Sequence, residues 1–341
     1  MGTKQNISTT TIKKALVTGG GGFVGKAVVK MLVHQGVECT VIGRNSYPDL
    51  VKIGIKCLVG DIQNLSFVTH AVRGMDTVFH IAALAGIWGK WSDYYGTNVI
   101  GTQNVIESCL KNDVFSLVYT STPSVVFDRS DIIDGNEDLP YANSFLCHYA
   151  RSKVIAEKMI LQANGQNLLT CALRPHLIWG PGDPHLLPRL IEKGRKKQLK
   201  RVGDGTNLVD ISYVDNVAHA HVLAAQNLKT TAICAGKAYF VSQGEPVNLW
   251  DWINTLFAAM DIPPVQQSIS FSTAYRVGSL LELVYKGLMV QKEPPMTRFV
   301  AEQLSKSHFF SIENGRNDFG YEPLITTEEG LMRSVKWLKN K

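Results

Sequence analysis

The chain has 341 residues, 45% hydrophobic and 19% charged, with 35 basic and 29 acidic side chains and a net charge of +6. That is ordinary for a soluble globular protein and is enough for one large domain with a satellite, or for two domains. No apolar run reaches the roughly eighteen residues that would span a bilayer. Residues 1–6 are polar, unlike a secretory leader, and Asn6 stands where a myristoylation signal needs Ser or Thr, so a cytoplasmic location is expected.

In chain order, the apolar run Ala15-Leu16-Val17 enters the cluster Gly19-Gly20-Gly21-Gly22 and leaves into a helix-periodic stretch led by Phe23 and Val24. This predicts strand, tight turn and helix. Gly19, Gly22 and Gly25 fall three apart: the first permits the turn, the second lets backbone approach a pyrophosphate, and the third lets helix pack on strand. The helix N-terminus, with unpaired N–H groups and the positive end of its dipole, is then the phosphate site.

A second strand is expected over 37–42, ending at Gly43-Arg44-Asn45. An acidic residue here binds the adenosine ribose hydroxyls, whereas a nearby arginine accommodates a 2′-phosphate. Gly43 followed by Arg44 therefore favours NADPH over NADH, with Ser46 able to assist and Asp49 weakening the local charge. Strands over 56–59 and 77–81 end in Gly60-Asp61-Ile62 and Ala82-Ala83, with a helix over 64–72 between them. A buried strand over 116–120 leads to Ser121-Thr122 at the C-terminal edge of the sheet, where open α/β sheets bind ligands. The alternation implies an α/β fold, a doubly wound parallel Rossmann sheet with right-handed crossovers.

From Gly180, the residues Pro181, Pro184, Pro188, Gly203 and Gly205 break the pattern. The expected division is a polar tail (1–11), an NADP-binding Rossmann domain (12–179) and a smaller C-terminal substrate region (180–341), some of whose segments return to the first domain. Helices are predicted over 215–225, 249–260 and 327–338, and a strand over 237–242. A further helix over 273–290 gathers Arg276, Ser279, Glu282 and Lys286 on one narrow face and Val277, Leu280, Leu281, Val284 and Leu288 on the other. It reads as a helix packed on the core, a lid over an apolar tunnel, or an interfacial helix.

Residues 193–201 hold six positive charges and no acid. They read as a solvated helix end, or as a contact for anionic lipid or an acidic partner protein. Nucleic acid is not expected, because no aromatic platform accompanies them. The six cysteines are scattered without a C-x-x-C pair and read as buried thiols, and His219 and His221 are too poorly spaced for a metal pair; no metal is expected. Trp88 and Trp91 read as substrate-entrance or core residues.

Tyr149 and Lys153 lie four apart in a helix-forming stretch, on one face. A phenol has a pKa of about 10, and an adjacent ammonium favours phenolate, which suits Tyr149 to general acid or base work. The pair alone is common by chance. In order with the glycine turn and the Ser/Thr cluster, it makes the sequence resemble the extended short-chain dehydrogenase/reductase family over nearly the whole chain.

Further carriers of that resemblance are Gly60-Asp61-Ile62, Asn98-Val99-Ile100-Gly101-Thr102, Tyr119-Thr120-Ser121-Thr122 and Arg174-Pro175-His176. Within the family the chain is similar to the 3β-hydroxysteroid dehydrogenase branch, through Thr122-Pro123-Ser124-Val125, Glu137-Asp138-Leu139-Pro140-Tyr141 and Glu293-Pro294-Pro295-Met296-Thr297. The resemblance implies that Tyr149 is the proton donor, that Lys153 lowers its pKa and holds the nicotinamide ribose, and that Thr122, with Ser121 and Ser124 as neighbours, steadies the carbonyl oxygen. It implies a water relay at Asn98, adenine contacts at Asp61 and Ile62, and a ribose loop at Ala82 and Ala83. It also places Pro175 and His176 beside the nicotinamide.

The expected activity is NADPH-dependent reduction of the 3-keto group of a long-chain 2-alkyl-3-oxoalkanoic acid, a step toward olefin hydrocarbons. A 3β-hydroxysteroid or sterol-4α-carboxylate 3-dehydrogenase and a non-catalytic NADP-sensing protein are the alternatives. A substrate carboxylate calls for a cation near Tyr149, with His148, Lys90 and Arg189 as candidates. Peripheral membrane contact, a partner enzyme and a homodimer formed through paired helices are also expected.

Overall fold

The structure, a computed structural model, describes residues 11–340; of the expected polar tail only Thr11 falls within it. Seven parallel strands form the central sheet: β1 (Lys14–Thr18), β2 (Glu38–Gly43), β3 (Lys56–Val59), β4 (Thr77–His80), β5 (Ser116–Thr120), β6 (Leu169–Pro175) and β7 (Lys237–Val241). Their order is β3-β2-β1-β4-β5-β6-β7. The order reverses where β1 lies beside β4, with Thr18 opposite His80, which opens a crevice above the strand ends.

The helices that matter for the site are α1 (Phe23–His34), α2 (Leu65–Val72), α3 (Gly101–Lys111), α4 (His148–Gln162), α5 (Leu186–Arg195), α6 (Val214–Lys229), α7 (Leu249–Ala259), α8 (Phe271–Gly287), α9 (Arg298–Ser305) and α10 (Thr327–Lys339). α1 and α6 cover one face of the sheet, where Val28, Val29 and Leu32 meet Val217 and Ala218. α2, α3 and α4 cover the other through Val68, Val105, Cys109, Ala156 and Ile160. Because both faces are buried, the strands are nearly continuous apolar runs. Asn64 caps α2 by accepting a hydrogen bond from the Phe67 amide at 3.1 Å.

A second core, around Trp179, Leu187, Tyr213, Leu256 and Phe257, joins α5 and α7 to the sheet edge. The segments that return to the first domain are α6, β7 and the stretch containing Phe319 and Tyr321, all of which pack into the core on the α1 face. The material outside the sheet and its covering helices sits mainly between β6 and α6 and between β7 and residue 312.

α8 runs opposite to a helix packed on the core. Its inward residues are Ala274, Gly278 and Glu282, while Leu280, Leu283 and Leu288 are 61%, 70% and 71% exposed. The reason is Glu282, which accepts hydrogen bonds from the Arg298 main-chain N–H at 2.7 Å, from Nε at 2.9 Å and from Nη2 at 2.8 Å. A Cβ on Gly278 would fall 2.6 Å from the Thr297 carbonyl carbon, so only glycine lets α8 lie this close to the start of α9. Turning the apolar face inward would swing Glu282 away from Arg298 and leave both without their partner.

Candidate active site

The glycine turn is built as its spacing predicts. Gly19 has φ +67°, and a Cβ there would sit 2.9 Å from the Ala82 backbone. A Cβ on Gly25 would collide with the Gly19 carbonyl, so α1 rests directly on β1. Gly22 caps α1 without a side chain, and no acid occupies the first turn. The N–H groups that open α1 are thus left for an anion.

Gly19, Gly22, Phe23, Val24, Gly25, Arg44, Asp61, Ile62, Ala82 and Ala83 all line one cleft of about 510 Å³. The cleft continues, across the shared residues Val24, Ile81, Ala83 and Ile178, into a space of about 330 Å³ that holds Thr122, Tyr149, Lys153, Pro175 and His176. A cradle that admits backbone but no Cβ, an uncapped helix start and an exposed arginine at the far end fit a dinucleotide. Arg44 is exposed and has no ion-pair partner among the described residues, while Asp49, which the sequence sets against it, is bound by Lys26 at 2.7 Å. That hydrogen bond holds the Asp49 carboxyl below its usual range.

At the other end of the cleft, the Tyr149 phenol and the Thr122 hydroxyl line one space, and the hydroxyl lowers the phenol's pKa. Thr122 also donates to the Ser124 hydroxyl at 3.2 Å and caps the short turn Pro123–Val125. The buried Ser121 hydroxyl has no partner among the described residues. All three candidate hydroxyls line the same space as the phenol, and Thr122 is the one that lowers its pKa.

Burial pushes the phenol up to about 12, and the Thr122 hydroxyl works against it. The Lys153 ammonium donates to the Thr120 carbonyl at 2.6 Å and lies over the Tyr119 ring, 4.1 Å from the centroid. Burial lowers the amine to about 7, with Glu157 acting in the opposite direction. Burial thus holds both groups toward their neutral forms.

Behind them runs a buried chain of polar groups. The Thr18 hydroxyl accepts from the Ile81 and Ala82 amides, both at 3.1 Å, so it donates to His80 Nδ1 at 2.8 Å. His80 Nε2 in turn donates to Thr102 at 2.9 Å, and Thr102 donates to the Asn98 carbonyl at 2.6 Å. Burial drops His80 to about 3, which keeps it neutral in this role. Asn98 lies in a π-helical turn, Tyr95–Ile100, a distortion common at functional sites. Its side chain accepts from the Leu84 amide at 2.7 Å and donates to the Leu84 carbonyl and to Ser152, whose hydroxyl reaches the Tyr149 carbonyl at 2.7 Å. Asn98 therefore braces the turn that carries Tyr149, and its side chain makes no contact with Lys153.

A larger cavity, about 700 Å³, backs onto this site: Cys147, His148, Thr297 and Arg298 line it, while their neighbours Tyr149 and Phe299 line the cleft. Lys90 and His148 are in its wall, as are Arg151 and Lys286, which the sequence reading did not single out. Arg189 is not; it is exposed and pairs with Glu293 at 3.2 Å. Burial, then Lys286 and Arg151, lower the His148 imidazole. Trp88, Tyr285, Met289 and Val290 supply the apolar part of the wall, and Trp88 donates to the Val290 carbonyl at 3.1 Å. Trp91 instead packs under Arg151, 4.5 Å from ring to guanidinium.

Residues 16–272 match the family model of the 3-beta hydroxysteroid dehydrogenase/isomerase family. The chain belongs to this family. Proteins named 2-alkyl-3-oxoalkanoate reductase from Stenotrophomonas maltophilia and Shewanella oneidensis are each 48% identical over 94% of this chain, covering 98% and 85% of their own lengths. A mouse protein named sterol-4-alpha-carboxylate 3-dehydrogenase, decarboxylating, is 35% identical over 98% of this chain and 93% of its own. Among solved structures, MoeE5 in complex with UDP-glucose and NAD superposes with a TM-score of 0.72 at 23% identity, covering 96% of this chain and 99% of that one. That likeness establishes the fold alone.

The chain is thus an oxidoreductase of the extended short-chain type, a family that works with nicotinamide cofactors. Among its site features, Tyr47 escaped the sequence reading. Its ring covers Gly21 and Gly43, where any Cβ would overlap it, and so forms part of the cleft wall beside Arg44. The two flanking glycines were the available signal. No helix among the described residues is long and apolar enough to cross a membrane.

Proposed function

We propose that this protein uses NADPH to reduce the 3-keto group of a long-chain 2-alkyl-3-oxoalkanoic acid to the 3-hydroxy acid. The observation that carries this reading is the convergence of Thr122, Tyr149 and Lys153 on one end of the cleft, backed by a cavity lined with both cations and apolar groups. When bound, the reduced nicotinamide supplies the hydride for the carbonyl carbon.

The chain's own residues do the rest. Thr122 holds the carbonyl oxygen beside the phenol, and Tyr149 gives that oxygen its proton as negative charge develops there. Burial keeps the phenol protonated at neutral pH, the form a proton donor needs. Lys153, drawn to about 7, returns a proton to the phenolate and makes good its own loss from water.

Arg44 supports NADPH over NADH, since the lysine-bound Asp49 does not oppose a 2′-phosphate. Lys90, Arg151 and Lys286 supply cations for a carboxylate next to the reacting carbon. The two relatives at 48% identity, by their names, act on this substrate class. Oxidation at C3 of a sterol-4α-carboxylate is the second reading, favoured by the mouse relative and by the same placement of a carboxylate.

The outward apolar face of α8, together with the basic residues 193–201, fits a peripheral contact with a lipid surface. Purified protein offered NADPH or NADH with branched 3-keto acids, and NADP+ or NAD+ with sterol-4-carboxylates, tests these readings. Turnover is expected with the keto acids and NADPH. Turnover confined to sterols would overturn the first reading in favour of the second.

A further inference from the structure

His176 and His308 form a pair across 132 residues of chain, with His176 Nε2 2.7 Å from His308 Nδ1. The other nitrogen of His308, Nε2, lies 3.1 Å from the Gln303 carbonyl. A carbonyl only accepts, so His308 Nε2 carries the proton. This carbonyl belongs to the last turn of α9, where carbonyls lack helical donors.

Burial holds both imidazoles below their ordinary pKa, and each ring is neutral at physiological pH. With its one proton on Nε2, His308 offers a lone pair at Nδ1, and His176 must donate to it from Nε2. His176 Nδ1 is then an unprotonated acceptor. It has no hydrogen-bond partner among the described residues, and its ring lies half-buried on the wall of the cleft beside Pro175, Tyr149 and Lys153.

We propose that His176 Nδ1 accepts a hydrogen bond from the carboxamide N–H of a bound nicotinamide, and that His308, fixed by the Gln303 carbonyl, is the positioning residue that selects this tautomer. The carboxamide nitrogen is the N–H donor at the nicotinamide end of the cofactor, so a lone acceptor on that wall sorts the amide's two ends and with them the face of the ring. A neutral imidazole also keeps a second positive charge away from the oxidised, cationic ring. The inference needs a nicotinamide nucleotide in the cleft but is independent of which ketone is reduced.

The test is equilibrium binding, followed by tryptophan fluorescence, of NADPH and of its 3-acetylpyridine analogue, which keeps the carbonyl but replaces the amide NH2 with a methyl group. One hydrogen bond corresponds to a difference of about five- to tenfold. Wild-type protein is expected to favour NADPH by about that factor over the analogue. His308→Leu is expected to lose the preference, and His308→Asn, whose side-chain oxygen takes the place of Nδ1, to retain most of it. Equal affinity of the wild type for the two nucleotides overturns the proposal. So does an undiminished preference in a His308→Leu protein with native circular dichroism, or loss of the preference in both variants alike. If neither nucleotide binds the wild type, the dinucleotide reading of the cleft fails together with the proposal, whereas binding with the expected preference but no turnover of keto acids faults only the substrate reading.

Discussion

At the sheet edge Thr18, His80, Thr102, Asn98 and Lys153 have their polar atoms committed to one another or to main-chain groups. Around α8, Leu280, Leu283 and Met289 face solvent, and the cavity wall carries Lys90 and Lys286, neither of which has an ion pair among the described residues. The two regions back onto each other through residues 147–149 and 297–299, so their difference does not come from distance. The polar groups behind Tyr149 are held in a network that fixes their positions. The cavity wall beside α8 is more exposed and mixes paired residues with free apolar ones.

That contrast can be broken most directly at Tyr149. Tyr149→Phe is expected to lower kcat for keto-acid reduction at least ~100-fold with NADPH affinity unchanged, measured by steady-state NADPH oxidation and by titration; comparable turnover would move the chemistry elsewhere. Arg44→Ala tests the opposite end of the cleft. About tenfold weaker NADPH binding, with NADH binding unaltered, is expected from the loss of a charge-assisted phosphate contact, and equal losses for both nucleotides would remove the phosphate assignment.

On the α8 side the expected effects are smaller. Leu280→Asp with Leu283→Asp is expected to reduce co-sedimentation with vesicles of anionic lipid by a few-fold while leaving turnover of a short, water-soluble keto acid within about twofold of wild type. Unchanged sedimentation would leave the outward apolar face without a lipid role.

The smallest effect sharpens the buried side of the comparison. Because folding holds Lys153 at about 7, below the ordinary lysine value of about 10.4, the folded state binds fewer protons than the unfolded state between those two pH values. Its stability therefore rises with pH across that window. The Tyr149 phenol, raised to about 12, adds a contribution of opposite sign only above about 10. Urea unfolding of the wild type and of Lys153→Met at pH 7 and pH 9 should show the wild type gaining relative to the variant at the higher pH. A constant difference would mean that the amine is not held neutral.

Much of the sheet could be read from the chain because its signals are local. The run Lys56 to Val59, the run Ser116 to Thr120, the Asn64 cap and the glycine turn each announce themselves within a few residues. β6 went unread although Asn164, Gly165 and Asn167 mark a turn just before Leu169 to Pro175; only Arg174-Pro175-His176 attracted notice. For α8 the two faces were legible but not which of them is inward, since that is settled by Glu282 meeting Arg298 sixteen residues later.

The cations of the large cavity were half legible. His148 is next to Tyr149 in the chain, but Lys286 reaches the same wall only through the fold, and Arg189 is diverted to Glu293. His308 carries no motif, and its meaning depends entirely on a partner 132 residues away.

The strand that closes the sheet at β7 comes from the second half of the chain, after residues 180–211 have already made their excursion. Both excursions, that one and 244–311, leave the sheet and come back to it, so each is an insertion moored at two ends. Chimeras that exchange these insertions with those of a sterol-acting relative would keep all seven strands of the central sheet, and would test whether substrate choice travels with the insertions.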